Sequence, residues 1–106
     1  MRPLTHDTLR GNWATLLLAT DRRGEIDFSR QSDEIDVLIA SKPDGIYSNG
    51  TAGEFYSQNR DEFLRISRLL AEKCEAAGTA FQIGVSHPCA QESLARLQLV
   101  RGLKPG

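Results

Sequence analysis

Residues 50 to 54, Gly-Thr-Ala-Gly-Glu, have the types and spacing of a binding site for a small anion. Glycines let a backbone turn with its N–H groups exposed, and such groups can hold negative charge. A short strand pattern precedes this glycine turn and a helix pattern follows it, and a helix start also favours negative charge. We therefore expect the function of the chain to lie at this turn.

Other chemistries are less well supported by the residue types. KH-type RNA-binding loops also contain Gly-Xaa-Xaa-Gly, but those loops join helices on a basic surface, whereas a strand precedes the turn here. His87 and Cys89 lie two residues apart in a predicted loop. One histidine and one cysteine are an incomplete zinc set, so we predict no metal site and a structural or substrate-side loop. No residue pattern calls for a cofactor.

The first strand and helix needed to position this turn are visible upstream. Residues 13 to 19 form a nearly unbroken apolar run, which predicts a strand covered on both faces. Asp27 can cap a following helix, and residues 42 to 45, Lys-Pro-Asp-Gly, stop it. The positions expected to face inward are Phe28, Ile35, Leu38 and Ile39.

The second unit contains the glycine turn. Residues 45 to 49 are predicted as a short strand, and Asn59 with Glu62 resembles a capping box that starts a helix. Gly78 supplies the C-terminal stop of that helix. Apolar residues at steps of three or four predict its buried face: Phe63, Ile66, Leu70, Cys74 and Ala77.

A third unit follows. Residues 79 to 85 are predicted as a strand and residues 91 to 100 as a helix, with Leu94 and Leu97 inward. The order is βαβαβα, which predicts an α/β fold with a parallel sheet and right-handed crossovers. Eight such units would total roughly 280 residues, so this chain is predicted to be the first three of the eight units of a (β/α)₈ (TIM) barrel.

Composition restricts the possible partners. The chain has 106 residues with 13 Lys plus Arg and 14 Asp plus Glu, for a formal net charge of -1. These charges are interspersed, so nothing points to nucleic acid or a membrane. Two cysteines make no disulfide framework and the N-terminus lacks a signal-peptide core, which predicts a reduced, cytoplasmic setting. Residues 1–106 are predicted as a single partial barrel domain, with residues 1–10 as a polar N-terminal segment.

Several residues together resemble a known family. Gly45-Ile46-Tyr47, the run 50 to 55 and then Glu62 are similar to the N-terminal signature of the dihydrodipicolinate synthase and N-acetylneuraminate lyase family. Residues 24 to 27 and 83 to 85 resemble its opening segment and its third strand.

The resemblance implies a Schiff-base aldolase or lyase that acts on pyruvate or a related 2-keto acid plus an aldehyde. By position, the backbone of Gly50, Thr51, Ala52 and Gly53 would hold the keto acid carboxylate, chiefly through the N–H groups of Thr51 and Ala52. The Thr51 hydroxyl would take part in proton relay. Glu54 is expected to stabilise the following turn and helix start.

The chain departs from the family in several places. Ala52 stands where synthases usually carry a second threonine, which removes a hydroxyl but keeps the N–H. Residues 18 to 20 and 86 to 89 also differ from the usual strand ends. In the family the reactive lysine lies on the sixth strand, beyond residue 106. Lys42, Lys73 and Lys104 are instead expected to be solvated surface residues.

Two functions therefore remain open at this point. The first is one part of a pyruvate-type aldolase that supplies the carboxylate site but lacks the catalytic lysine, and is inactive alone. The second is a non-catalytic truncated half-barrel that acts as a binding or assembly module. Either would leave strand edges open, so a homo-oligomer or a complementary barrel fragment is an expected partner. The direction of the Tyr47 side chain is left undecided.

Overall fold

A three-stranded parallel sheet forms one layer of the computed structural model, which describes residues 1–106. Its strands are β1 (Trp13–Thr15), β2 (Gly45–Ser48) and β3 (Ala80–Ile83), in the order β1-β2-β3. Trp13 pairs with Gly45, and Gly45 in turn pairs with Ala80. The predicted α/β class and parallel sheet are confirmed.

Three helices follow the three strands. They are α1 (Phe28–Ala40), α2 (Arg60–Ala77) and α3 (Ala90–Val100), and two short 3-10 turns lie at Phe55–Ser57 and Arg101–Leu103. The chain thus contains three complete βα units, as predicted. None of the helices is long and apolar enough to cross a membrane.

The ends of α1 and α2 form where the sequence predicts them. The Asp27 carboxylate accepts a hydrogen bond from the N–H of Arg30 at 3.1 Å. Asn59 and Glu62 form a reciprocal capping box, which satisfies backbone donors that a helix start leaves free. Gly78 ends α2 in the left-handed conformation, with φ of 68°, where a glycine has no steric penalty.

The core lies between the helices and one face of the sheet. Because side chains alternate along a strand, Ile46 and Ser48 of β2 face the helices and Tyr47 faces the other way. Burial also raises the pKa of the Cys74 thiol to about 11, with a smaller contribution from Glu75. The main cluster consists of Leu16, Ile35, Ile46, Ile66, Leu70, Ala71, Cys74 and Phe81.

The opposite face of the sheet is open. Thr15 is exposed, and Tyr47 and Gln82, which pair across β2 and β3, are only half-buried. Trp13, at the start of β1, is also half-buried, and its indole N–H donates to the carbonyl oxygen of Arg10. The prediction of a first strand covered on both faces is therefore wrong for this chain.

Strand β1 is also shorter than the predicted run to Ala19, because the backbone that follows it forms hydrogen bonds with side chains of α1. The N–H of Leu17 donates to Glu34 at 2.9 Å, and the N–H of Ala19 donates to the Gln31 side chain at 2.8 Å. Gln31 returns a bond to the carbonyl oxygen of Leu17. Desolvation raises the pKa of Glu34, although the bond from Leu17 acts in the other direction.

Two predictions about buried helix faces are wrong. Leu94 and Leu97 of α3 are 56% and 50% exposed, while Arg96 and Val100 are buried in their place. Ala77, at the end of α2, is exposed. Periodicity identifies a stripe on a helix, but which stripe is buried depends on where neighbouring elements lie.

Candidate functional site

The glycine turn lies at the carboxyl end of β2, where parallel α/β sheets place their sites. Asn49 leaves the strand in the left-handed conformation, with φ of 59°. Gly50 and Gly53 are buried, whereas Thr51 and Ala52 between them are exposed. The turn therefore presents its two central residues to solvent on a buried base.

The exposed residues keep their hydrogen-bond donors free. The turn is closed by bonds from the N–H of Glu54 to the Thr51 carbonyl (3.1 Å) and from the N–H of Phe55 to the Gly50 carbonyl (3.4 Å). Neither the N–H groups of Thr51 and Ala52 nor the Thr51 hydroxyl bonds to another group of the chain. These three donors at one exposed tip can hold a small anion.

One sequence expectation about the turn, the role of Glu54 at the helix start, is wrong. Helix α2 begins at Arg60, as the capping box predicts, so its N-terminus follows the short 3-10 turn and is not at the glycine turn. Glu54 adopts a left-handed conformation, and its side chain forms no capping hydrogen bond. An anion held here would therefore depend on the peptide N–H groups of the turn itself.

Gly53 is packed between two backbone segments. A Cβ atom at this position would lie 2.9 Å from the Leu16 carbonyl oxygen and 3.1 Å from the Asn49 nitrogen. Backbone atoms cannot rotate away as a side chain can, so only glycine fits without a shift. The end of β1 and the end of β2 thus meet at the base of the turn.

Tyr47 lies beside the turn on the open face of the sheet. A Cβ atom on Gly50 would lie 2.5 Å from its Cε1 atom, and one on Gly84 would lie 2.6 Å from its hydroxyl oxygen. The side chain therefore spans the carboxyl ends of β2 and β3. Strand alternation could have decided this orientation from the sequence, because Ile46 is the apolar neighbour that must be buried.

Buried polar side chains hold the turn from below, and sequence reasoning missed them. The Asn49 amide donates to the hydroxyls of Ser48 (3.2 Å) and Ser67 (3.3 Å). The Gln58 amide nitrogen donates to the Gly53 carbonyl at 3.1 Å, and its Oε1 atom is buried without a hydrogen-bond partner. Polar residues outside an apolar periodicity carry little signal in a single sequence.

A charged cluster joins α3 to the segment after the turn. Arg96 donates to the carbonyl oxygens of Gln58 (2.9 Å) and Phe55 (3.4 Å), and also to Glu92 at 3.3 Å. Arg60 binds Glu92 with two nitrogens, at 3.0 and 2.6 Å. The two arginines, Arg60 foremost, lower the pKa of Glu92 to about 2, and Glu92 in turn raises that of Arg60. The i,i+4 spacing of Glu92 and Arg96 was the one available sequence signal.

His87 and Cys89 remain in the loop after β3. The N–H of Cys89 donates to Nδ1 of His87 at 3.0 Å, so this ring nitrogen is used within the loop. Cys89 is exposed at the residue before α3. His87 therefore has a structural role within this loop.

The order of strands and helices places the three lysines away from the glycine turn. Each helix runs back from the carboxyl edge of the sheet to the amino edge, and Lys42 and Lys104 follow the ends of α1 and α3. Lys73 lies in the last third of α2, where its Nζ is 2.6 Å from Asp36 and its side chain is only 23% exposed. The expectation of a solvated lysine is wrong for Lys73, but no lysine reaches the glycine turn.

The sheet, its helical crossovers and a turn at the carboxyl edge define part of a (β/α)₈ barrel. The profile of the Dihydrodipicolinate synthetase family matches residues 8–85, and the chain therefore belongs to this family. A search of curated proteins found no significant match.

Solved structures with the same fold come from the same family. N-acetylneuraminate lyase from Mycoplasma synoviae superposes with a TM-score of 0.85 at 20% identity, over 95% of this chain and 35% of that one. Dihydrodipicolinate synthase from Aquifex aeolicus gives 0.81 at 15% identity, over 92% and 32%. A prophage protein of the family from E. coli K12, solved in complex with pyruvate, gives 0.81 at 22% identity, over 92% and 32%. The chain thus spans about a third of the length of these proteins.

We predict that Gly53→Ala destabilises the protein by about 1 to 3 kcal/mol, because the new methyl group meets two backbone atoms. Gly102→Ala is the matched control, since a Cβ there has no neighbour within 4 Å. Urea unfolding measures both free energies. Equal stabilities of the two variants would contradict the close packing of Gly53.

We also predict a pH dependence that belongs to Glu92. Since its folded pKa is lowered from 4.5 to about 2, its stabilising contribution is complete above 4.5 and is lost as the pH falls toward 2. The difference in unfolding free energy between the parent and Glu92→Gln should therefore shrink over that interval. Glu72→Gln, at an exposed position with no ion pair, is the control. A constant difference for Glu92→Gln would refute the assignment.

Proposed function

We propose that this chain forms the carboxylate-binding wall of a Schiff-base aldolase or lyase that acts on pyruvate or a related 2-keto acid plus an aldehyde. The observation that carries the proposal is the exposed pair Thr51 and Ala52, whose N–H groups are free at the carboxyl edge of a parallel sheet. Membership in the family supports the reaction type. The pyruvate complex of a related fold supports the class of ligand.

The free N–H groups suit a keto acid carboxylate. Backbone donors stabilise an anion without a counter-charge, and donors that are already oriented need no reorganisation when the ligand arrives. Gly50 and Gly53 keep the turn in place beneath them. The Thr51 hydroxyl, which has no partner in the chain, would relay a proton during the reaction.

The covalent nucleophile would come from outside these 106 residues. A Schiff-base lysine must lie within reach of the keto carbon and be desolvated or beside other positive charge. Lys42, Lys73 and Lys104 belong to the opposite edge of the sheet from Thr51. We therefore propose that the chain alone is inactive, and that the catalytic site is completed by further barrel strands or by a complementary fragment.

The proposal also includes a cellular environment and an assembly partner for the chain. Both cysteines are free, which agrees with a reducing, cytoplasmic environment. Residues 1–106 would form a single partial barrel domain, and the remaining strands of a barrel would cover the open face of its sheet. Assembly as a homo-oligomer belongs to the same proposal.

A second candidate is a non-catalytic assembly module. The specific observation in its favour is the pair Leu94 and Leu97, which expose half or more of their surface on α3. Exposed apolar residues that lie close together mark contact surfaces between proteins. This alternative requires no ligand at the glycine turn, and the ligand experiments below separate the two functions.

Pyruvate should bind to the turn without covalent attachment. We predict that pyruvate shifts the amide resonances of Thr51 and Ala52 in NMR spectra, whereas methyl pyruvate, which lacks the carboxylate, does not. Borohydride added with pyruvate should give no increase in protein mass, with a family enzyme that contains the lysine as the positive control. Absence of the amide shifts would favour the assembly module, and stoichiometric trapping on one lysine would refute an external nucleophile.

Thr51→Val separates binding from proton relay. Because the amides remain, we predict that pyruvate affinity changes by less than about threefold. In a protein that contains this chain together with the lysine, turnover should fall by about a hundredfold or more, the usual range for a lost proton-transfer group. Ser57→Ala, at an exposed position outside the turn, is the control for both measurements. Unchanged turnover in Thr51→Val would rule out the relay.

A further inference from the structure

We propose that Arg96 of α3 is a positioning residue that sets the orientation of the glycine turn through Gln58. Its importance for ligand binding rests on the function proposed above, whereas its effect on the turn does not. A series of contacts leads from α3 through Gln58 to the glycine turn.

Arg96 is almost fully buried, which is unusual for an arginine. Its side chain is 4% exposed, and its guanidinium lies 5.0 Å from the centre of the Phe63 ring. A buried charge is costly unless it is paired, and its one carboxylate partner, Glu92, is shared with Arg60. Other N–H groups of the guanidinium donate to the loop that follows the glycine turn.

Those donors hold both ends of the 3-10 turn. The carbonyl of Phe55 begins this turn and that of Gln58 follows it, and Arg96 donates to both. The fork of a guanidinium fixes the relative position of two acceptors, which a single ammonium cannot do. The segment from 55 to 58 is thus fixed from the α3 side.

Gln58 passes this restraint on to the glycine turn. Its backbone accepts from Arg96, and its side-chain nitrogen donates to the carbonyl of Gly53. Gly53 also lies close to the backbone of Leu16 and Asn49, where a Cβ atom would not fit. A shift of Gln58 therefore changes the peptide planes next to Gly53, and with them the direction of the Ala52 and Thr51 N–H groups.

The unpartnered oxygen of Gln58 fits this role. A buried acceptor without a donor destabilises the folded state, and a methionine of similar shape would avoid that cost. With glutamine at this position, the side-chain amide nitrogen can donate to the Gly53 carbonyl. Reversing the amide would place two oxygens against each other there, so the contact itself fixes the orientation of the group.

Hydrogen exchange of the 106-residue chain tests the inference without any ligand. Arg96→Met keeps the packing on Phe63 but removes the donors. The amides that close the turn and the 3-10 segment should then exchange about tenfold faster or more, while amides in the middle of α2 keep their rates. Arg101→Met, at an exposed position just after α3, is the matched control. The reporting amides are those of Glu54, Phe55, Ser57 and Gln58.

A second variant keeps the test decisive if Arg96→Met does not fold. Gln58→Met removes the bond to Gly53 and the unpartnered oxygen, and leaves the backbone acceptor of Arg96 intact. We expect it to fold and to speed exchange at Glu54 and Phe55 by a similar factor, with Ser57 less affected. Exchange at the rate of the Arg101→Met control in either folded variant would overturn the inference.

Pyruvate titration of the same variants separates this inference from the proposed function. If both hold, the parent binds pyruvate at Thr51 and Ala52, and Gln58→Met weakens that binding by about tenfold. If exchange speeds up but the parent does not bind pyruvate, Arg96 still positions the turn and the keto acid function is wrong. If the parent binds pyruvate and exchange is unchanged, the proposed function stands and the positioning role is wrong.

Discussion

The burial of one face of the β-sheet is the constraint on which the rest of this structure depends. Ile46 and Phe81 lie buried against the helices, because removal of apolar surface from water is the dominant favourable term in folding. Strand alternation then turns Tyr47 to the open face and brings the chain to the carboxyl edge at Asn49. The site is therefore positioned by residues that take no part in its chemistry.

Backbone at the carboxyl edge has left the sheet and needs other hydrogen-bond partners. Buried polar side chains meet this need in the first two loops: Gln31 binds the segment after β1, and Asn49, Gln58 and Arg96 support the segment after β2. Each of these groups would be costly to bury alone, and each is retained because it satisfies a backbone group or its neighbour. The edge is consequently packed and hydrogen-bonded beneath Thr51 and Ala52, which are the residues left open to solvent.

This division between a fixed base and an exposed tip suits the proposed chemistry. A carboxylate is held best by donors that are already in place, and the covalent step needs a lysine in a different environment. The chain has free N–H donors at the carboxyl edge of its sheet, and its own lysines lie at the amino edge. A barrel can combine the two only by bringing further strands around the open face that Thr15, Tyr47 and Gln82 present here.

The sequence by itself determined the order βαβαβα, the caps at Asp27 and Asn59, the stop at Gly78, the family and the location of the glycine turn. These features are local, since a capping side chain or a glycine acts within a few residues of its own position. Only the tertiary structure decided that β1 ends at Thr15, that α3 buries Arg96 and leaves Leu94 exposed, and that Arg96 supports Gln58. Those outcomes depend on contacts between residues far apart in the chain, for which neither periodicity nor spacing carries a signal.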